Sequence, residues 1–336
     1  MLGLPAITRQ SFEMYGIAVE VSAEAPSVLD AMELRLRGFR ASAERAPELR
    51  LEFLTDGSLR PDLPAGTSAC IDAPGGAARA VYDTPHGSMH YFPETDMLRG
   101  RLGQVELRCE AGRGLARFHS PAYDERDLYL ATHPLTTISL MELLERRGRF
   151  ALHAACLASA QGRGVLLAGP SGAGKSTLAL ALALAGMQFL SDDIVFLTAA
   201  RGSRELRVLG FADTVGLTGF AAAHVPALAS LPDKPAAGFP KRLHRIEDLL
   251  VTAPIPSCRP HALVFPEISP EHPSALGPLD PGEAMLRLVP DVLLTHPAAT
   301  QAHLRAIAAL VEQVRCYALR SGPDLGRAVE LVQALV

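Results

Sequence analysis

The sequence predicts an α/β fold, a P-loop domain preceded by an N-terminal mostly β (α+β) domain, on three observations. The run Gly169-Pro170-Ser171-Gly172-Ala173-Gly174-Lys175-Ser176 satisfies G-x-x-x-x-G-K-[ST] at every fixed position, between an apolar strand-like run and an apolar helix. The first 125 residues carry several short runs in which apolar and polar side chains alternate, the period of a half-buried strand. The 336 residues, 48% apolar and 20% charged, suffice for about two domains with cores of their own. We place an accessory, substrate-recognising domain at 1–130 and the P-loop domain at 131–336.

In the first half, Ile17, Val19 and Val21 alternate with smaller or polar residues, as do Leu49, Leu51 and Phe53, and each set reads as a strand. Between them, 27–39 reads as a helix with Ser27 as its N-cap and Gly38 near its end. Further strands are expected at 79–82, 88–92, 105–108 and 115–118, separated by Gly, Pro and Asp turns. No catalytic constellation is visible there. His86 and His90 are four apart, but Pro85 and Gly87 argue against the helix that would bring them to one face, so a polar turn is expected rather than a metal pair.

In the second half, Pro134 opens a helix running to Arg147 and stopped by Gly148, with Leu135, Ile138, Met141 and Leu144 at helical spacing; this helix would couple the two halves. Strands follow at 150–158 and 164–168, then the loop, a helix over 175–185 ended by Gly186, and strands at 188–190 and 194–197 on either side of Ser191-Asp192-Asp193. Pro226, Pro232, Pro235 and Pro240 make 225–241 an irregular loop. An apolar strand at 261–265 precedes a loop-like stretch over 266–281. The chain closes with a helix near 301–314, a strand near 316–319 and a helix from Asp324 whose Leu325, Val329, Val332 and Leu335 form an apolar stripe.

A formal net charge of −4 supplies no global attraction for nucleic acid or anionic lipid, and neither is expected as a partner. Cys70, Cys109, Cys156, Cys258 and Cys316 are scattered, without a C-x-x-C pair, and read as reduced thiols of a cytoplasmic protein. Residues 1–15 show no basic stretch followed by a long apolar run, so no signal peptide is expected. No segment offers the roughly 18 to 20 apolar residues of a membrane span.

The chemistry centres on the loop. Its glycines let successive N–H groups and the following helix N-terminus face an anion, Lys175 carries a point charge toward the β- and γ-phosphates, and the Ser176 hydroxyl reaches magnesium. Gly169, Ser171, Gly172, Ala173, Gly174, Lys175, Ser176 and Thr177 are therefore the nucleotide-binding candidates, with ATP and Mg2+ as cofactors. Asp192 and Asp193 follow one helix and one short strand after Lys175, a spacing that returns the chain beside the loop; one carboxylate can hold magnesium and the other can take a proton from an attacking hydroxyl. Adjacent aspartates also end strands and cap turns. His153, between Leu152 and Ala154, reads either as a core histidine or as a site residue. Lys241, Arg242 and Arg245 concentrate positive charge where a closing segment can meet phosphate or substrate, or they form a solvated basic face.

The run from Leu152-His153-Ala154-Ala155 through the loop to Leu190-Ser191-Asp192-Asp193 resembles the catalytic domain of the HPr kinase/phosphorylase family, in which a His-containing strand, a G-x-x-G-x-G-K-S loop and an Ala/Ser-Asp-Asp triplet occur in this order at nearly this spacing. The resemblance is strong over 149–197 and looser to the C-terminus, and it implies a kinase fold related to the phosphoenolpyruvate carboxykinases. It implies that Asp193 deprotonates an acceptor hydroxyl, that Asp192 is metal-associated and that His153 lies near the transferred phosphate, and it hints at a homo-oligomer. Thr177 stands where the family usually has an acidic residue. The expectation is an ATP-dependent kinase acting on a serine or other hydroxyl of a protein, peptide or small molecule. The alternatives are a nucleotide-dependent switch, for which the guanine-specific N-K-x-D pattern is missing, and a carboxykinase-like enzyme on a small carboxylate.

Overall fold

The computed structural model describes residues 7–43, 45–55, 78–84, 87–199, 202–203, 205–211, 214–217, 242–293 and 295–336. It is a mixed α/β structure in two compact units: Met1–Arg147 with Leu293–Thr300, and Gly148–Val292 with Gln301–Val336.

The first unit holds β1 (Thr8–Met14), β2 (Ile17–Ala23), β3 (Leu49–Leu54), β4 (Arg79–Thr84), β5 (Gly87–Phe92), β6 (Met97–Leu102), β7 (Val105–Glu110) and β8 (Leu115–His119). They form one mixed sheet in the order β1-β2-β3-β8-β7-β6-β5-β4, parallel at β2–β3 and β3–β8. Tyr15 and Gly16 both take positive φ, 56° and 81°, in the two-residue turn between β1 and β2, as a hairpin matched to strand twist requires. Leu49, Leu51 and Phe53 point into the core as their alternation predicts, and Phe53 stacks on Phe118 at 4.3 Å. Strands β1 and β6 escape the alternation signal because Thr8 and Gln10 stand in line with the buried Phe12 and Met14, and Gly100 in line with the buried Leu98 and Leu102, where the pattern needs apolar residues. Gly100 in β6 is a packing necessity, since a Cβ there would lie 2.4 Å from Met89 Cγ.

Helix α1 (Pro26–Leu36) buries Val28, Leu29, Met32 and Leu36. Its N-cap is Ala25, not Ser27: Pro26 occupies the first turn, where a missing N–H costs nothing. Nor does Pro134 open a helix. Helix α2 (Glu125–Leu130), capped by Asp124 through the Asp127 N–H at 2.8 Å, runs through a π turn (Ala131–Leu135) into α3 (Thr136–Glu145). Pro134 is accommodated inside the π turn. Arg35, buried in α1, donates to the carbonyls of Thr132 and His133 in that turn.

Helix α3 also carries a buried acid. Glu142 is 1% exposed and accepts from Thr295 Oγ1 at 3.0 and 3.1 Å, with Glu145, Arg146 and Asp96 around it. Burial, reinforced by the Glu145 charge, pushes its carboxyl from an ordinary 4.5 up to about 7. The folded chain then keeps a proton that the unfolded chain releases, so stability falls as pH rises from about 4.5 to about 7. At about 1.4 kcal/mol per pH unit the loss is on the order of 3 kcal/mol. Glu142→Gln keeps the acceptor without the charge; melting curves recorded between pH 5 and 8 are expected to show a flatter decline for it than for the wild type.

The second unit holds β9 (Phe150–Leu152), β10 (Ala154–Ala158), β11 (Arg163–Ala168), β12 (Gln188–Ser191), β13 (Val195–Ala199), β14 (Leu206–Gly210), β15 (Thr214–Leu217), β16 (Arg242–Arg245), β17 (Ser257–Ile268), β18 (Ala275–Pro278) and β19 (Arg315–Ser321). Its mixed nine-stranded sheet runs β12-β10-β11-β17-β14-β13-β9, with β19 paired to β17 and β18 to β19; β15 and β16 form a separate ribbon. Helices in chain order are α4 (Lys175–Leu184), α5 (Ile246–Leu249), α6 (Pro281–Leu288), α7 (Pro297–Gln313) and α8 (Leu325–Gln333).

Alternate residues of the central strands go to opposite cores. Ala154, Cys156, Leu166 and Leu263 pack with Leu288, Ile307 and Leu310, whereas Ala155, Leu157, Val165 and Leu167 pack with Leu178, Leu182, Ala328 and Val332. With helices on both faces, β10 and β11 read as continuous apolar runs instead of alternating ones. Strand β17 is longer than the expected 261–265, and 266–281, expected to be loop, contains its end and β18. Two prolines obscured it, and they fall where the β11 ladder is interrupted or has ended. Gly164 opposes Pro260 and Val165 opposes Ala262, making His261 the extra residue of a bulge, and Pro266 lies past the last β11 partner, Val264. The proline-rich 225–241 lies outside the described residues. Among the described residues, no helix is long and apolar enough to cross a membrane.

Candidate functional site

Three motifs far apart in sequence meet because β10 is antiparallel to both its neighbours. Ala154 pairs with Ala168 at the end of β11, and Cys156 pairs with Ser191 at the end of β12. The residue before β10 is His153, the residue after β11 is Gly169, and the residues after β12 are Asp192 and Asp193. All therefore emerge at one edge of the sheet. Strand β17, parallel to β11, brings Pro266 and Ile268 to the same edge.

The loop between β11 and α4 is shaped by Gly169, Gly172 and Gly174, at φ of 137°, 87° and 90°. Gly174 is the N-cap of α4, and the first intrahelical bond runs from the Leu178 N–H to the Gly174 carbonyl at 3.0 Å. The N–H groups of Lys175, Ser176 and Thr177 precede that bond at the positive end of the helix, an arrangement suited to an anion. Ser171 and Gly172 are exposed; Ala173, Gly174, Ser176 and Thr177 are half-buried. Lys175 is 7% exposed, and its Nζ donates to the Gly169 carbonyl at 2.5 Å and the Pro170 carbonyl at 3.1 Å. The ammonium thus ties the helix start to the loop start, within reach of anything the loop holds.

The expected strand over 150–158 is two strands. The chain pairs with β13 as β9 and with β11 and β12 as β10, and His153 occupies the break, which leaves its ring outside both ladders. His153 Nδ1 lies 3.2 Å from Asp193 Oδ1, with the side chains 31% and 66% exposed. At that exposure the contact contributes little to stability and serves to orient the two groups. Asp192 is buried beside the exposed Asp193. Hard-cation donors at this edge are the carboxylates of Asp192 and Asp193 and the hydroxyls of Ser176 and Thr177; among the described residues no group of three or more His, Cys, Asp or Glu is placed to hold a metal ion.

Two residues outside the expected set hold this edge in shape. Ser191 is fully buried, and its hydroxyl lies 2.6 Å from the Ile194 carbonyl and 2.7 Å from that of Phe211, so its one hydrogen closes the turn carrying both aspartates and ties it to β14's end. His303 in α7 is 3% exposed and donates from Nε2 to the Ala151 carbonyl at 2.7 Å, two residues before His153. A histidine four and seven residues before Ile307 and Leu310 on a buried helix face is the signal for it: a polar group there needs a partner.

Arg242 and Arg245 are the ends of β16, in the ribbon separate from the nine-stranded sheet, with Arg245 exposed; Lys241 lies outside the described residues, as does His86. Cys109, Cys156, Cys258 and Cys316 are free thiols, and Cys70 lies outside the described residues. Cys156 and Cys258 touch, Sγ to Sγ 3.7 Å, across Gly164 of the intervening β11. Two strand spacings put their backbones roughly 9 to 10 Å apart, beyond the reach of a disulfide.

Ser191→Ala leaves the Ile194 and Phe211 carbonyls without their buried donor. Urea unfolding is expected to show a loss of about 1 to 3 kcal/mol, whereas a stability equal to wild type would mean that the hydroxyl does not hold the turn.

No protein-family model matches the chain, and no curated protein matches it. Among solved structures, it is similar to the Hpr(Ser) kinase/phosphatase from Coxiella burnetii at 14% identity and a TM-score of 0.30, over 55% of this chain and 92% of that one. This is a distant structural resemblance.

Proposed function

We propose that the protein is an ATP-dependent phosphotransferase in which a P-loop, residues 169–176, presents the γ-phosphate to a serine or other hydroxyl of a protein, peptide or small molecule. The observation that supports this reading best is the strand register: it brings a glycine-rich loop with a buried lysine and an exposed carboxylate paired with histidine to one sheet edge. The order of the motifs, which resembles that of the HPr kinase/phosphorylase family, points the same way.

In this mechanism the N–H groups at the start of α4 and the loop glycines hold the β- and γ-phosphates, and Lys175 adds its charge as Nζ turns from the Gly169 and Pro170 carbonyls to phosphate oxygens. His153 donates from Nδ1 to Asp193 Oδ1, which orients the carboxylate that takes the acceptor proton. As the acceptor oxygen bonds to the γ-phosphorus, the bond from that phosphorus to the bridging oxygen breaks; the electron pair leaves with ADP and the acceptor proton passes to Asp193. Ser176 and Asp192 supply hard oxygen donors that fit magnesium, and the bound ion would neutralise charge on the β- and γ-oxygens.

Asp193→Asn removes the proton acceptor and keeps the shape. With γ-labelled ATP and a cell extract, the wild type is expected to move label to a peptide, protein or metabolite, and the variant to do so about 100- to 10,000-fold more slowly. Its ATP affinity should stay within about threefold of wild type. Undiminished transfer by the variant would remove Asp193 from the reaction, and phosphate release without any labelled acceptor would overturn the transferase reading.

A further inference from the structure

The two sides of β11 are chemically unequal. On one side lie β10 and β12, which carry His153 and Asp193; on the other lie β17 and β19. A triphosphate on the loop with its γ-end toward His153 and Asp193 directs its other end over the carboxyl ends of β17 and β19, the crevice in which open α/β sheets take ligands. At that place β17 ends in Ile268, a large apolar side chain left 46% exposed. It abuts the loop itself: a Cβ on Gly174 would lie 3.3 Å from Ile268 Cγ1 and 3.5 Å from its Cδ1.

The chain beyond Ile268 is braced. The Ser269 N–H donates to the Ser321 carbonyl at 2.8 Å, and the His272 N–H donates to the Ser269 carbonyl at 3.2 Å. Ser269 Oγ and His272 Nδ1 lie 3.1 Å apart, which holds an exposed imidazole in place. Ser274 Oγ accepts from the Gly322 N–H at 3.0 Å and donates to the Asp324 carbonyl at 3.1 Å. The turns after β17 and β19 touch so closely that a Cβ on Gly322 would lie 2.2 Å from the His272 carbonyl oxygen. An apolar body is thus presented to solvent against Gly174 of the loop, and the braced turn that follows it presents an exposed imidazole.

We infer that Ile268 and His272 form a shelf for the nucleoside of the bound nucleotide, with the flat face of a purine base covering Ile268 and the His272 ring. This rests on the reading of the 169–176 loop as a triphosphate cradle. Base contacts of this kind are sequence-tolerant stacking and apolar burial, so the shelf contributes affinity and leaves the choice among purines to other groups.

Inorganic tripolyphosphate, which has the charge of the triphosphate and no nucleoside, separates the shelf from the cradle. Calorimetric titration of the full chain with magnesium ATP and with magnesium tripolyphosphate is expected to show Ile268→Ala and His272→Ala each weakening ATP roughly tenfold and leaving tripolyphosphate within about twofold. Lys175→Ala is expected to weaken both ligands. If both shelf variants bind ATP as the wild type does while Lys175→Ala loses both ligands, the cradle stands and the shelf is wrong. Equal weakening of ATP and tripolyphosphate by Ile268→Ala and His272→Ala would make them supports of the loop and would also overturn the shelf. A wild type that binds neither ligand would remove the cradle and the shelf with it.

Discussion

The candidate site depends on the pairing of one short strand. β10 has five residues, all buried, and is hydrogen-bonded on both sides in antiparallel register. Because side chains alternate faces, a slip by one residue would exchange Ala154, Cys156 and Ala158 with Ala155 and Leu157 between two packed cores of different shape. The register is therefore held by burial, and with it the height at which His153, Gly169 and Asp192 leave the sheet. A bulge refines it. Cys156 opposes Ser191 while Leu157 opposes Phe189, so Leu190 is the extra residue, and the turn bearing the aspartates is re-aimed at the last step of β12.

Around this strand, buried polar groups fix what the ladders cannot. Ser191 closes the aspartate turn and His303 holds the backbone entering the break at His153. Each is nearly inaccessible to water, so each bond is costly to lose and geometrically exacting. The proposed reacting pair is the opposite: the side chains of His153 and Asp193 are 31% and 66% exposed. A rigid, buried support under an accessible pair of side chains is how a site stays both preorganised and reachable.

Much of the second unit was legible because local signals there agree with the tertiary structure. The loop glycines demand positive φ, the apolar stretch after Lys175 is a helix, Gly186 ends it at φ of 96°, and Asp324 caps α8 through the Arg327 N–H at 3.0 Å. Where local signals mislead, a non-local partner decides. Prolines 260 and 266 argue against a strand until the bulge and the end of the β11 ladder are known, and Pro134 argues for a helix start until the π turn is seen. In the first unit, β1 is mostly polar and β6 has arginine and glycine through its middle, and their hydrogen-bonded neighbours make them strands.

The sequence by itself determined the loop, its helix and the identity of the ionisable groups, because these follow from glycine's allowed conformations, helical periodicity and side-chain chemistry, which act over a few residues. It also set out the two aspartates as candidates through their spacing, and His153 through the order of motifs that the family resemblance supplied. Only the tertiary structure decided that His153 breaks its strand and lies 3.2 Å from Asp193, that Ser191 and His303 brace them, and that Ile268 stands against Gly174. Those relations join residues up to 152 positions apart, His303 to Ala151. They depend on which strands pair and in what register, a choice made by the packing of both cores at once.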